Sequence, residues 1–170
     1  LLWMNIFLIL IALFVYLGAE SEERQMGIMT VLRGATAQTA MNTDVQVLSP
    51  ASTIGHAAEL FCHGFQTDFP VVDGDRLVGL ITRETITETL HRQGPSVTIQ
   101  DVMARDFPTA TEQTPLSDVL EKMQSSGYKA VPVIKGAELR GLITLEQIVR
   151  YNMLCSGFSC EFLQGERTRA

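Results

Sequence analysis

The pattern of apolar and polar residues predicts the same series of elements twice along this chain. In each copy an extended stretch leads to a helix with an apolar stripe, two short strands follow, and a second helix closes the unit. The unit is β-α-β-β-α, which predicts a mixed α/β (α+β) fold. The predicted elements of the first copy are residues 45–48, a helix from Ser52 or Thr53, strands 69–72 and 77–82, and helix 83–93. Those of the second are residues 107–110, a helix from Thr114 or Pro115, strands 131–134 and 139–144, and helix 145–155.

The two copies are related by a constant shift of 62 positions, without a gap. Residues 36–90 and 98–152 share 15 identities in 55 positions, including Gly79-Leu80-Ile81-Thr82, which returns as Gly141-Leu142-Ile143-Thr144. A repeat of this length is typical of a supersecondary unit that buries its apolar face against its twin. We therefore expect repeats at 36–94 and 95–156, related by a pseudo-two-fold axis, with a functional cleft between them.

The N-terminal residues 1–19 are apolar apart from Asn5 and carry no charge. As a helix they would span about 28 Å, close to the thickness of a bilayer core. A signal peptide would need a basic start and a small-residue cleavage site, and a core helix would normally have a polar face. We therefore predict a transmembrane helix at 1–19, a connector helix at 20–35 and a polar tail at 157–170. The start on leucine suggests the C-terminal piece of a longer membrane protein.

Charge and cysteine content narrow the classes of partner. A net charge of −6 and a pI near 5.0 argue against binding to a nucleic-acid backbone, which needs a basic face. The three cysteines, Cys62, Cys155 and Cys160, form no even disulfide framework, which predicts reduced thiols and a cytoplasmic module.

With this plan in place, both copies resemble a known family. The phrases Phe69-Pro70-Val71-Val72-Asp73 and Leu77-Val78-Gly79-Leu80-Ile81-Thr82, with their second-copy equivalents, are similar to cystathionine-β-synthase-type (CBS) domains, and the resemblance covers roughly residues 36 to 156. It implies a Bateman module, a pseudo-two-fold pair that forms homodimers and often binds adenine nucleotides (ATP, ADP or AMP) in its clefts.

The resemblance also implies candidate ligand-binding residues. In nucleotide-binding members the turn from strand to helix carries a Thr or Ser followed three positions later by Asp, which bonds the ribose. This chain keeps Thr82 and Thr144, but Thr85 and Gln147 stand where the Asp belongs. As a neutral amide, Gln147 makes a weaker hydrogen bond than a carboxylate.

Three further residues affect whether the same clefts can bind a nucleotide. Tyr128 and Lys129 offer an aromatic face and a positive charge to a nucleotide near Thr144, whereas Asp68 in the first copy would repel phosphate. In the alternative interpretation both threonines only cap the helices that follow them, and the module acts through dimerisation.

A second resemblance covers the N-terminal run. Residues 7–19, followed by Glu23, are similar to the last membrane helix of site-2-protease-like zinc metalloproteases, one branch of which carries a C-terminal CBS pair. The resemblance implies a regulatory module whose zinc-containing catalytic part lies upstream. A channel or transporter is the other membrane protein to consider.

The zinc motif His-Glu-x-x-His is absent, and His56, His63 and His91 do not replace it, so no catalysis or metal binding is expected of this chain.

Overall fold

The computed structural model describes Leu32 and residues 34–157. Within this part of the chain the predicted helices and hairpin strands are present in the predicted order, and a short helix is added near the start of each repeat. The stretches 45–48 and 107–110 do not form the predicted strands. The helices are α1 (Ala37–Ala40), α2 (Ile54–His63), α3 (Arg83–Gln93), α4 (Ile99–Val102), α5 (Leu116–Ser126) and α6 (Leu145–Gly157). The strands are β1 (Phe69–Asp73), β2 (Arg76–Ile81), β3 (Ala130–Lys135) and β4 (Glu138–Thr144).

Each repeat is built on one antiparallel hairpin, β1 with β2 and β3 with β4. The turns use Gly74 and Gly136, whose positive φ angles of 61° and 67° are left-handed and favour glycine. The extended stretches form only single parallel bridges, from Leu48 to Val71 and from Ala110 to Val133. The two hairpins meet where the Leu77 amide donates to the Ala137 carbonyl at 2.9 Å.

The segments at the start of the two repeats are exchanged between them. We call residues 35–42 the first lead-in and residues 97–104 the second lead-in. The Ala37 amide of the first lead-in donates to the Thr114 carbonyl at 2.8 Å, and its two-fold equivalent, the Ile99 amide, donates to the Ser52 carbonyl at 2.8 Å. Each lead-in therefore binds the repeat to which it does not belong in sequence.

The hydrophobic cores follow this exchange rather than the sequence boundaries. Ala37 and Met41 of the first lead-in are buried with Leu116, Val131 and Ile143 of the second repeat. In the other core, Ile99 is fully buried, and Val97, Val102 and Met103 pack partly buried against Ile54, Phe69 and Ile81 of the first repeat. Burial of these apolar side chains makes each repeat depend on the lead-in of its twin.

The exchange explains the glycine in the repeated Gly-Leu-Ile-Thr phrase. A Cβ atom at Gly141 would lie 2.7 Å from the Asn42 carbonyl oxygen and 3.1 Å from the Met41 sulfur. At the equivalent Gly79 it would overlap the side chain of Met103. Only glycine lets the lead-ins approach β4 and β2 this closely.

Several predictions fall outside the described residues: the transmembrane helix at 1–19, the connector helix apart from Leu32 and residues 34–35, and the tail beyond Gly157. Among the described residues no helix is both long and apolar enough to span a bilayer. The prediction of reduced thiols is wrong for Cys155, which is disulfide-bonded, whereas Cys62 is an exposed free cysteine.

Candidate functional site

A cleft of about 330 Å³ lies between the first repeat and the start of α6, and we call it the Thr144 cleft. This volume is at the lower end of the range of about 300–1,000 Å³ found for small-molecule sites. The lead-in exchange builds the cleft, because the paired main chains of Asn42 and Leu142 join its two walls. Its polar and aromatic lining residues are Asn42, Asp44, Gln46, Phe65, Gln66, Thr144, Glu146, Gln147 and Arg150.

Three backbone N–H groups at the start of α6 have hydrogen-bond partners within the protein. The Gln147 amide donates to the Thr144 hydroxyl at 3.3 Å, and the Thr144 amide donates to Gln147 Oε1 at 2.8 Å. This is a reciprocal capping box. The Leu145 amide donates to the Lys129 carbonyl at 2.9 Å. Both Thr144 and Gln147 therefore have structural roles in the absence of any ligand.

The charges of the Thr144 cleft are mixed. Arg150 Nη2 bonds Glu146 Oε1 at 2.6 Å, one turn apart on α6, and the Asp44 carboxylate lines the facing wall. With two carboxylates and one guanidinium, the lining carries one net negative charge. The cleft is consequently not a basic pocket.

Two lining residues were missed by the sequence analysis. Phe65 follows α2, lines the cleft, and its side chain is fully exposed, which is unusual for a phenylalanine. Arg150 lies on α6 two turns beyond Thr144, where its two-fold equivalent is Glu88. A comparison of the repeats position by position would have found both, because Gly127 and Glu88 stand in their places in the other copy.

The other candidate residues belong to the two-fold-equivalent surface, which we call the Thr82 cleft. The Lys129 ammonium bonds Glu84 Oε1 at the start of α3 at 2.9 Å, and the Tyr128 hydroxyl donates to the Asp106 carbonyl at 3.1 Å. The predicted set is thus divided. Thr144 and Gln147 line one cleft, whereas Tyr128 and Lys129 extend towards the cleft of Thr82 and Thr85.

Thr82 and Thr85 also form a helix cap. The Thr82 hydroxyl accepts a hydrogen bond from the Thr85 amide at 3.2 Å and lies 3.1 Å from the Thr85 hydroxyl. Capping of this kind satisfies one of the unpaired N–H groups at the amino end of α3.

A buried carboxylate completes the start of α3. Asp68 is only 5% exposed, accepts a hydrogen bond from the Thr67 hydroxyl at 2.7 Å, and is bonded by the backbone amide of Arg83. Burial raises the pKa of Asp68, and the nearby charge of Glu84 adds to the shift. The Asp68 carboxylate therefore already lies at the amino end of α3, the position to which a phosphate would otherwise be attracted.

The ion pair between Glu84 and Lys129 predicts a pH-dependent stability. Lys129 holds the pKa of Glu84 at about 2, well below its ordinary value of 4.5. The pair therefore stabilises the fold above pH 4.5, and this contribution is lost as the pH falls from 4.5 to about 2. Because both side chains are more than half exposed, we expect Glu84→Gln to lower the free energy of unfolding at pH 7 by less than about 1 kcal/mol.

Urea unfolding at several pH values measures this contribution. The Lys129→Met variant closes a double-mutant cycle with Glu84→Gln and isolates the coupling between the two side chains. A coupling that stays constant between pH 7 and pH 2 would contradict the prediction.

No group of three or more His, Cys, Asp or Glu side chains arranged to hold a metal ion occurs within residues 34–157.

Comparisons with known proteins identify the repeated unit. A family model described as CBS domain matches residues 37–92 and again 99–153. The crystal structure of the CBS domain pair of protein MJ0100, in complex with 5′-methylthioadenosine and S-adenosyl-L-methionine, has a TM-score of 0.65 and 27% identity, covering 72% of this chain and 97% of that one.

Two curated relatives differ in how far the match extends. Zinc metalloprotease MJ0392 of Methanocaldococcus jannaschii is 31% identical over 150 residues, covering 88% of this chain and 42% of that protein. The A-adding tRNA nucleotidyltransferase of Geobacter sulfurreducens is 29% identical over 116 residues, covering 68% of this chain and 13% of that protein. The chain therefore spans less than half the length of both relatives.

Proposed function

The chain belongs to the CBS domain family, and we propose that its two CBS domains form a regulatory module that binds an adenosine compound in the Thr144 cleft. CBS pairs are regulatory and non-catalytic modules, so the role of the pair is to sense a ligand. The observation that carries the proposal is the 330 Å³ cleft, which is lined by both repeats and includes the Thr144 hydroxyl and the Gln147 amide. The complex of the MJ0100 pair with two adenosine compounds supports it.

The residues of the cleft suit an adenosine. The exposed ring of Phe65 can stack on the purine, and the side-chain amides of Asn42 and Gln147 can bond the ribose hydroxyls. Gln147 would then exchange part of its capping interaction for the ligand. These contacts make binding modest rather than tight, since no carboxylate stands at the position of Gln147.

Titration calorimetry with AMP, ADP, ATP, 5′-methylthioadenosine and S-adenosylmethionine tests the proposal. We expect at least one compound to bind, and Phe65→Ala to weaken it by about tenfold or more, the effect of losing one stacked base. Leu90→Ala, which removes a partly exposed apolar side chain from α3, is the matched control and should leave binding unchanged. Absence of heat with every compound would leave dimerisation as the function of the module.

We further propose that the module regulates a site-2-protease-like membrane metalloprotease. This proposal is supported by the length of the match to one relative, zinc metalloprotease MJ0392. Only 135 residues lie between Thr36 and the C-terminus, so the 150 residues matched to zinc metalloprotease MJ0392 include part of the segment that precedes the CBS pair. A match to the CBS pair alone would not reach it. In this proposal residues 1–19 anchor the module in the membrane, and zinc is held by the upstream catalytic part.

The upstream coding sequence tests the attachment. A membrane helix with a His-Glu-x-x-His motif is expected, because a zinc protease needs two such histidines and the intervening glutamate. A pore or transporter domain in its place would contradict the proposal.

We also propose that the module forms a homodimer. Leu145 and Val149 lie one turn apart on α6 and are 40% and 43% exposed, whereas the equivalent positions of α3 are Arg83 and Thr87. An apolar stripe of this kind favours association. Light scattering of residues 34–157 is expected to give twice the monomer mass, and Val149→Glu should give the monomer. Thr87→Glu, at the equivalent position of α3, should remain dimeric.

A further inference from the structure

From the geometry of the Thr144 cleft we infer that it selects adenosine compounds whose 5′ group carries no phosphate, that is, neutral or cationic groups such as a thioether or a sulfonium. This inference rests on the proposed function, because it names the class of ligand for the same cleft. It is carried by the hydrogen bonds of the α6 terminus and by the charges that line the cleft.

The first argument is that the α6 terminus has little left to offer a phosphate. Phosphate binds helix termini through unpaired backbone N–H groups. Here the Thr144 amide donates to Gln147 Oε1 at 2.8 Å, and the Gln147 amide donates to the Thr144 hydroxyl at 3.3 Å. The Leu145 amide donates to the Lys129 carbonyl at 2.9 Å. A phosphate would have to displace these partners before it could bond these three amides.

The second argument is electrostatic. Arg150 is the cation that lines the cleft, and Glu146 already neutralises it at 2.6 Å. Asp44 then leaves the lining with one net negative charge. A phosphate monoester, with close to two negative charges at neutral pH, is repelled by this arrangement, whereas a sulfonium or an ammonium group is attracted.

The Thr82 cleft does not provide an alternative phosphate site. The cations on this side are already paired with carboxylates. Lys129 and Arg83 both bond Glu84 Oε1, at 2.9 and 3.3 Å, and Arg92 bonds Glu88 Oε1 at 3.2 Å. The buried Asp68 also accepts a hydrogen bond from the Arg83 amide at the start of α3, so a phosphate would have to compete with these carboxylates.

Titration calorimetry of the full chain at neutral pH with AMP and with 5′-methylthioadenosine tests the inference, because the two ligands share adenine and ribose. We expect the dissociation constant of methylthioadenosine to be at least about tenfold lower than that of AMP, the order of effect of one charge contact at a partly exposed site. The Glu146→Gln variant, which releases Arg150, is expected to bind AMP about tenfold more tightly and so to reduce the preference for methylthioadenosine over AMP.

The outcomes separate this inference from the proposed function. The control variant is Glu84→Gln, the two-fold equivalent of Glu146→Gln, and it should not change binding of either ligand to the Thr144 cleft. If AMP binds as tightly as methylthioadenosine or more tightly, the selectivity is overturned while the regulatory site stands. If neither ligand nor S-adenosylmethionine binds, the proposed site itself is overturned, and the selectivity with it.

Discussion

Substituting Gly141 by alanine is expected to lower the free energy of unfolding by about 1–3 kcal/mol, the range of an overpacked core. The new methyl group would lie 2.7 Å from the Asn42 carbonyl oxygen, which is held in place because the Asn42 amide and carbonyl both bond Leu142 at 2.9 Å. Removing this close contact would require breaking the main-chain pairing between the first lead-in and β4. Chemical denaturation of residues 34–157 measures the loss.

Gly79→Ala is the matched control, since it makes the same change on the other side of the pseudo-two-fold axis. There the nearest atoms belong to the flexible side chain of Met103, so we expect a smaller loss of stability. Shortening Met103 to alanine should rescue Gly79→Ala, whereas Met41→Ala should not rescue Gly141→Ala, because the Asn42 carbonyl remains. Equal losses, or rescue by Met41→Ala, would show that the main-chain contact is not the cause.

A fragment cut at the structural boundary, residues 43–104, is expected to fold, whereas one cut at the sequence boundary, residues 36–94, is not. The first contains the whole core of the first repeat, including the second lead-in. The second fragment lacks Ile99 and the partly buried Val97, Val102 and Met103. It carries Ala37 and Met41 instead, whose own core lies in the absent second repeat.

The expected difference in free energy of unfolding between the two fragments is large compared with the stability of a small domain. Full burial of one large aliphatic side chain contributes about 1.5–3 kcal/mol. Because three of the four lost side chains are only partly buried, together they contribute on the order of 5 kcal/mol, similar to the total stability of many domains. Circular dichroism with urea unfolding should give a cooperative transition for 43–104 only. Similar transitions for both fragments would show that the exchanged lead-ins are not essential to the cores.

The order of elements could be predicted from the sequence because each depends on local signals. The apolar runs of β1 and β2, the glycines of the turns and the capping threonines all act over a few residues. Helix α3 has the predicted bounds 83–93. The exchange of lead-ins could not be predicted in this way. A short segment such as Ala37–Ala40 has no periodicity that tells which of two similar repeats it will pack against.

The candidate site was predicted only in part, for the same reason. The family motif led to Thr82, Thr85, Thr144 and Gln147, and the structure places them at the two expected helix starts, where they act as caps. Tyr128 and Lys129 were expected beside Thr144, but they extend towards Asp106 and Glu84. Which cleft a side chain enters depends on the relative placement of the repeats, and this long-range arrangement leaves no local signal.

The buried Leu32 gives the module a mechanical property. It shares one core with Ile148 and Tyr151 of α6, the helix whose first turn forms the Thr144 cleft. A displacement of Leu32 would therefore disturb the packing of α6 and, through it, the first turn that lines the Thr144 cleft.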